Sequence, residues 1–440
     1  MVKVVKFGGS SLADATQFRK VYNIINADHE RRYVVPSAPG KRFAKDTKVT
    51  DLLILAYSHR NEADFDDIFD SIVDRYNSII EELKLDYSLA DEFATIRENC
   101  LDNASFDYVI SRGEYLNALI LAHYLDYDFI DAADVIRIDE SGNYDAKRTD
   151  PLLKEALAQH EKAVIPGFYG LKNDGSQQIQ AFSRGGSDVT GSIVSKCANA
   201  SLYENWTDVS GFMIADPNIV KHSQVIETIT YQELRELSYM GASVLHENSI
   251  FPVRSAGIPI NIKNTNRPDD SGTLIVETTC HKPKHVITGI AGKKGFATVT
   301  IEKDMMNAEI GFCRRVLQVF EDHGLSIEHM PSGIDTMTVV INVNDFIAHE
   351  QSVLAGIHRL ADPDKIELES DLALIAVVGR GMKRSLGTAA RVFTALAKDN
   401  INIKMIDQGS SEENIIIGVR NRYFERAIKA IYKEFIIKED

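Results

Sequence analysis

The chain has 440 residues, 44% hydrophobic and 26% charged, with a formal net charge of −15 at pH 7. That length exceeds what one hydrophobic core holds, so two or three domains are expected. The acidic balance excludes nucleic acid, which requires a basic face, and obliges any site for a polyanion to build its own local positive field.

Residues 2–7 read as a short buried strand that ends at Gly8-Gly9-Ser10-Ser11. A helical pattern follows, with Phe18, Val21, Tyr22 and Ile25 on one face. Strand, glycine turn and helix aim backbone N–H groups at an anion. Gly8 and Gly9 allow positive φ and a close approach, and Lys6 adds a point charge. Taken alone, Gly-Gly-Ser-Ser is more often a plain loop. It matches neither G-x-x-x-x-G-K-[ST] nor G-x-G-x-x-G.

Residues 32–38 read as a second strand, 41–48 as a polar, mobile loop, and 50–100 as helical. Residues 106–111 are strand-like, and Arg112-Gly113-Glu114 leads into an apolar helix over 115–124. Further strands are expected at 128–130, 163–168 and 201–206, and Ser183-Arg184-Gly185-Gly186-Ser187-Asp188 opens a helix running to about residue 198. Strands alternating with helices indicate an α/β domain with a largely parallel sheet, whose ligands lie at the carboxyl ends of the strands.

The character changes after about residue 276, and 279–285 resembles a linker. Beyond it Gly311, Val316, Phe320, Leu325, Ile327 and Gly333 repeat as Gly387, Val392, Leu396, Ile401, Ile403 and Gly409, at a constant offset. Each copy predicts a helix, an alternating strand, a glycine turn and a second apolar strand, at 339–341 and 415–417. These are two small α+β modules of one kind. The four cysteines (Cys100, Cys197, Cys280, Cys313) are widely spaced, the usage of reduced thiols in the cytosol. No apolar run approaches the ~18 residues of a membrane span, and no signal peptide is evident.

Several residues suit chemistry. The glycines after Arg184 expose backbone donors, and the arginine offers a fork for carboxylate or phosphate; equally, Ser187 or Asp188 is an ordinary N-cap. Glu114 suits a ligand amine or simply a helix N-terminus. Trp206 to Gly211 and Ala215-Asp216-Pro217 suit a ribose or base, or are turn residues. The histidines show no zinc-ligand spacing, and there is no serine nucleophile elbow.

In combination these stretches closely resemble the aspartate kinases of the amino acid kinase superfamily. The resemblance rests on Val5-Lys6-Phe7-Gly8-Gly9-Ser10-Ser11, Ser111-Arg112-Gly113-Glu114, the stretch from Ser183 to Asp188, and Thr207-Asp208-Val209-Ser210-Gly211. It continues through Gly241-Ala242-Ser243-Val244-Leu245-His246 and Ile260-Asn261-Ile262-Lys263-Asn264-Thr265, and covers nearly the whole chain in order. It implies an amino-acid-kinase fold, a largely parallel sheet between helices, followed by two ferredoxin-like α+β ACT domains. The implied boundaries are a kinase domain at 1–278, a first ACT domain at 303–370, and a second, split one made of 286–302 with 371–440.

The implied activity is transfer of the ATP γ-phosphoryl group to the side-chain carboxylate of L-aspartate, with Mg²⁺ and no metal site built from protein residues. Lys6 matches the catalytic lysine and Asp188 the acid that orients it, with Gly8, Gly9 and Ser10 around the phosphates. Ser37, Thr50, Glu114, Phe168, Arg184 and Ser187 match positions that hold aspartate; Thr207, Asp208 and Asp216 match positions that hold the nucleotide. Family members often carry lysine, arginine and tyrosine where Ser243, Asn218 and Met213 stand. Ser326 to Asp335 resembles lysine-inhibited members, with Met306, Ser326, Ile327 and Glu328 at effector positions and Glu309 replacing a commoner serine. The resemblance further implies L-lysine as effector and a homodimer, or a dimer of dimers, through the ACT domains. A fused homoserine dehydrogenase is not expected, because the chain ends after the second ACT domain. The competing readings are another carboxylate kinase of the glutamate type and a non-catalytic ACT sensor of amino acids.

Overall fold

The computed structural model describes residues 1–102, 104–183, 185–242, 245, 247–279 and 283–437. The chain divides into two compact units. The first comprises Met1–Phe212, Val225–Tyr231 and Val244–Thr279. Its strands are β1 (Lys3–Phe7), β2 (Arg31–Pro36), β3 (Asp128–Phe129), β4 (Arg137–Ile138), β5 (Ala163–Val164), β6 (Tyr169–Lys172), β7 (Ile179–Ala181), β8 (Leu202–Thr207), β9 (Thr228–Thr230), β10 (Ile260–Asn264) and β11 (Thr273–Val276). Eight of them form one sheet, in the order β3-β5-β2-β1-β8-β10-β11-β9. Every pairing in it is parallel except β10 with β11. Strands β4, β6 and β7 form a small second sheet.

β1 lies at the centre because Val4, Val5 and Phe7 are fully buried and only a doubly covered strand hides such a run. Its register aligns Phe7 with Pro36 of β2 and with Trp206 of β8, so three strands end at one level. Helices Ala15–Asn26, Phe65–Leu83, Ala90–Leu101 and Phe106–Leu125 contribute to the core beside β1, with Phe18, Tyr76, Phe93 and Leu121 among its buried residues.

The strand expected at 106–111 is instead the start of the helix Phe106–Leu125. The Ser105 side chain caps it by accepting from the Tyr108 N–H, and Val109 through Glu114 are all buried. From Val109 to Ala122 no residue is exposed, so the helix there has no polar stripe, its periodicity is lost and its β-branched residues mimic a strand. The strand expected at 163–168 stops at Val164, and the chain turns where Phe168 takes φ +83°. The loop at 41–48, expected to be mobile, is tied down through Asp46, which pairs with Arg42 and Arg75.

The second unit comprises Met213–Gln224, Gln232–Ser243 and Cys280–Asp440. The predicted linker at 279–285 falls largely on Cys280, His281 and Lys282, outside the described residues. Strands β12 (Gly289–Glu302), β13 (Thr336–Asn342), β14 (Lys365–Val378), β15 (Met405–Asp407) and β16 (Asn414–Val419) form one antiparallel sheet, ordered β13-β12-β14-β16-β15. The repeat is evident in helices Phe312–Asp322 and Thr388–Lys398, each opened by a left-handed glycine, Gly311 at φ 82° and Gly387 at φ 80°. The strand expected after the first of these helices is reduced to isolated bridges, His329 with Val340 and Ser332 with Met337. Pro331 between them has no N–H for a ladder.

Two stretches that precede this sheet in the chain pack into the same unit. Ile290 N–H donates to the Ile214 carbonyl (2.6 Å), and the Tyr432 hydroxyl accepts from Gln224 N–H (3.0 Å). Glu233, whose side chain is fully buried, accepts from the Thr288 hydroxyl (2.6 Å) and from the Arg380 backbone (2.9 Å) and guanidinium (2.8 Å). Truncating one partner of a buried pair leaves the other charge uncompensated, at a cost of about 3 kcal/mol or more. Arg380→Met is therefore expected to lower the urea midpoint of this unit by a corresponding amount, and a midpoint equal to wild type would show the pair to be energetically idle.

Candidate active site

Aligned strand ends gather the site. Lys6 on β1 and Asn205 on β8 are register partners, so their side chains share one face of the sheet. Lys6 Nζ meets Asp188 Oδ1 at 2.7 Å, and the Asn205 amide donates to the same oxygen at 2.8 Å. Asp188 stands in the first turn of the helix Gly186–Cys197, which has ten buried residues among its twelve and a left-handed N-cap at Gly185. A lysine only 8% exposed on a central strand requires such a partner.

Beyond Lys6 the chain enters a single 3-10 turn, Gly9–Leu12, before the helix Ala15–Asn26 begins at Asp14. Gly8 has φ −69°, and neither it nor Gly9 uses the positive φ that glycine allows. At Gly9 the need for glycine is steric. A Cβ on Gly9 would stand 2.7 Å from the Ala38 carbonyl oxygen, and one on Gly40 would stand 2.6 Å from the Gly9 carbonyl carbon. The turn after β1 and the turn after β2 thus touch backbone to backbone, joined by Gly40 N–H donating to the Gly9 carbonyl (2.8 Å).

Ser37 begins that second turn, its N–H on the Phe7 carbonyl (2.9 Å) and its carbonyl accepting from the Asn117 amide (2.7 Å). Asn117 and Glu114 both lie on the helix Phe106–Leu125, which approaches closely because residue 113 is glycine: a Cβ there would stand 2.9 Å from that of Ala38. Burial pushes the Glu114 carboxyl up to about 7, although the Ala38 backbone and the charges of Lys6 and Arg112 favour its ionised form. Among the described residues, Glu114 Oε2 has no hydrogen-bond partner. Thr50 lies in the first turn of the helix Val49–Ser58, which is tied to the loop by Val49 N–H donating to the Pro39 carbonyl (3.1 Å).

Phe168 and Ser187 join the same edge: Gly167 N–H reaches the Pro36 carbonyl (3.2 Å), and Phe168 N–H reaches the Thr190 hydroxyl (3.1 Å) one turn beyond Ser187. Thr207 ends β8 opposite Asn264 of β10 and bonds to Asp208 (3.2 Å). Asp216 differs from these. It belongs to the second unit and accepts from the Asn218 N–H (2.8 Å), in the same segment as Met213. Arg184, Ser243 and His246 lie outside the described residues.

Of the regulatory candidates, Met306 is buried in a 3-10 turn, Ser326 is exposed, and Ile327 and Glu328 are half-buried. Glu328 receives the Tyr239 hydroxyl, and burial pushes that phenol up to about 12 with the carboxylate reinforcing it. Glu309, where serine is commoner, pairs with Arg315. Sequence reasoning missed Asn205 and Asn117. Their signal was present, as amides beside apolar residues in a strand and a helix that are largely buried.

The model of the amino acid kinase family matches residues 1–264, and that of an ACT domain matches 375–435. The chain belongs to the amino acid kinase family. "Aspartokinase 3" of Bacillus subtilis is 41% identical over 99% of this chain and 98% of its own length. The crystal structure of an aspartate kinase from Clostridium acetobutylicum matches with TM-score 0.89 and 52% identity, over 99% of each chain. Escherichia coli aspartokinase III, crystallised with aspartate and ADP, matches with TM-score 0.75 at 24% identity over 99% of each chain, a likeness of fold. Within its family, then, this chain belongs with the ATP-dependent aspartate kinases. Among the described residues no helix is long and apolar enough to cross a membrane.

Glu114 makes a pH signature testable without ligands. Its folded-state value lies above the ordinary 4.5, so the folded protein binds the extra proton. The associated stability is complete below about pH 4.5 and is lost as pH rises through about 7. Glu114→Gln is expected to flatten this dependence, gaining on the order of 3 kcal/mol over wild type between pH 5 and 8. Parallel pH profiles of the two proteins in urea would refute the buried-carboxyl assignment.

Proposed function

We propose that the enzyme transfers the γ-phosphoryl group of Mg-ATP to the side-chain carboxylate of L-aspartate, giving 4-phospho-L-aspartate and ADP, the first step towards lysine, threonine and methionine. The observation that carries this reading is the contact of Lys6 with Asp188 beside Gly8, at the carboxyl edge of the parallel sheet. A carboxylate with pKa near ~4 is already ionised, so no general base is needed. The barrier lies in bringing two anions together and spreading charge in a loose, in-line transition state. One aspartate oxygen attacks the γ-phosphorus, the bond to the bridging oxygen breaks, and ADP departs with that electron pair.

Lys6 supplies the preorganised positive charge, and Asp188 and Asn205 hold its ammonium in place. Gly8, Gly9 and Ser10 surround the phosphates, while Thr207 and Asp208 take the nucleoside side. Glu114 meets the substrate ammonium and Arg184 a carboxylate, within a pocket shared with Ser37, Thr50, Phe168 and Ser187. Mg²⁺ enters as part of the nucleotide substrate, carried on phosphate oxygens and water.

At ~4 Å and an effective dielectric near ~20, one charge pair is worth about 4 kcal/mol. Lys6→Met is expected to reduce turnover by roughly 10² or more. Lys6→Arg should not restore it, since a planar fork cannot replace a compact ammonium. Hydroxylamine trapping of the acyl phosphate, with aspartate against glutamate as acceptor, measures both activity and substrate choice. Near-normal turnover by Lys6→Met, or preference for glutamate, would overturn the assignment.

Regulation is read in the same way. Residues 303–370 form the first ACT domain, and 286–302 with 371–440 form the second. Pairing of these domains between subunits makes a homodimer or a dimer of dimers, and L-lysine is the feedback effector. Met306, Ser326 and Ile327 line its site, and Glu328 meets its side-chain ammonium. To inhibit, lysine must bind a low-activity arrangement more tightly than the active one, and a coupling of about 1–3 kcal/mol gives a roughly 5- to 150-fold effect. Glu328→Ala is expected to raise the lysine concentration for half-inhibition while leaving the uninhibited rate nearly intact. An unchanged inhibition curve removes Glu328 from the site, and inhibition by threonine alone removes lysine as effector.

A further inference from the structure

The helix Phe65–Leu83 carries none of the stretches that resemble the family, yet two adjacent polar residues on it are buried, Arg75 at 4% exposure and Tyr76 at 0%. Each reaches a different wall of the proposed aspartate pocket. The Tyr76 hydroxyl donates to the Gly113 carbonyl (2.7 Å), next to Glu114. Arg75 donates through Nη2 to the Gly40 carbonyl and through Nη1 to Asp46 (2.8 Å). Asp46 in turn accepts from the Arg42 backbone (2.9 Å) and guanidinium (2.9 and 3.0 Å), which closes the loop on itself.

We propose that Arg75 and Asp46 form a clamp that positions the loop of residues 37–48 over the turn after β1, making Arg75 a positioning residue for aspartate in the phosphoryl transfer. This rests on the reading of Ser37 and Thr50 as aspartate contacts, since those two residues bracket the clamped loop. The clamp acts at Gly40, whose backbone is in contact with Gly9, so any displacement of the loop moves one wall of the pocket relative to the phosphate turn. Arg42 and then Arg75 hold the Asp46 carboxyl well below the usual carboxylate range, so the clamp remains charged at every pH suitable for assay. Among the described residues Arg75 Nε has no hydrogen-bond partner. An orphaned buried donor costs stability, which fits a guanidinium retained for where it holds the loop.

The test is Arg75→Met, which keeps the stem and removes the donors, with Arg75→Lys and Asp46→Asn beside it. Arg75→Met is expected to raise KM for aspartate and lower kcat, with kcat/KM falling about tenfold to a hundredfold, the scale of a misplaced binding group. KM for Mg-ATP should change little, because the turn after β1 stays anchored by Gly8 N–H on the Trp206 carbonyl (3.0 Å). Arg75→Lys should restore part of the loss, through charge on Asp46 without the fork. Asp46→Asn should reproduce the Arg75→Met phenotype and add little to it in the double variant; it also serves if Arg75→Met does not fold.

Trypsin reports the clamp without reference to any substrate, because Lys41, Arg42, Lys45 and Lys48 all lie in the loop and are exposed. Release should accelerate cleavage there and nowhere else. Unchanged loop cleavage overturns the clamp. Faster cleavage with unchanged kinetics for aspartate overturns the positioning role. A wild-type enzyme that does not phosphorylate aspartate overturns the reading of the pocket while leaving the cleavage result to judge the clamp.

Discussion

The site depends on a buried ammonium on a central strand. Lys6 faces away from Val5 and Phe7, between two parallel neighbours, and its charge is neutralised by an aspartate that arrives from a helix far along the chain. That pairing requires the first turn of the helix Gly186–Cys197 to stand over the end of β1. Asn205 sets the height of Asp188 and is itself set by the β1–β8 register. Were β1 to slip by one residue, Lys6 would pass to the opposite face and the apolar residues would lose their core. The register that builds the hydrophobic interior therefore also fixes the position of the charge.

Opposite this pair stands a carboxyl group in an unfavourable place. Glu114 lies on the buried middle of its helix, and its neighbour Arg112 is compensated by the rings of Tyr108, Tyr115 and Tyr169 (4.5 to 5.0 Å). Those aromatic faces accommodate a cation, and among the described residues Glu114 has no salt bridge of its own. Lys6 and Glu114 thus differ in kind: the lysine is paired with Asp188, while Glu114 Oε2 has no hydrogen-bond partner among the described residues. An incoming ammonium would remove the cost of ionising Glu114, a gain unavailable to a ligand that lacks one.

Much of this was legible in the sequence because glycines and polar residues interrupt apolar strands where parallel strands end. The α/β class, the lysine before the glycines, Asp188 and the duplicated modules all carry local signals. What was not legible depended on distance. The strand wrongly expected at 106–111 follows from a helix with no exposed residue between Val109 and Ala122, whose amphipathic period is absent there. The positive φ that Gly8 and Gly9 allow is used at neither, and the need for glycine at residue 9 is a steric one imposed by Ala38 and Gly40, some thirty residues away. The apparently mobile loop at 41–48 is held by Arg75, which reads in sequence as one more charge on a helical face. Asp216 lies in a stretch whose packing partners are the strands and helices of the second unit, a placement that no local pattern encodes.

The second unit shows how a duplicated backbone can carry unequal chemistry. Its two copies open their helices with glycines of nearly equal φ, and buried Val316 and Phe320 recur as buried Val392 and Leu396. The edge segments differ: bridges join His329 to Val340, whereas β15 pairs Met405 with Gly418, a slip of two residues between copies that keeps each side chain on its own face. At the position where the first copy has Glu328, the second has Lys404, engaged by Glu369 at 2.8 Å. The backbone frame is therefore common to both, and the charge is not. The first copy thus presents a carboxylate where the second presents an ammonium already paired with a carboxylate, so duplication of the backbone need not mean duplication of a binding site. Glu328 is also engaged by Tyr239, from a segment that precedes the sheet in sequence. Through that hydroxyl the carboxylate of the first copy is joined to the helix Tyr231–Tyr239, so a change at Glu328 bears on the packing of that helix.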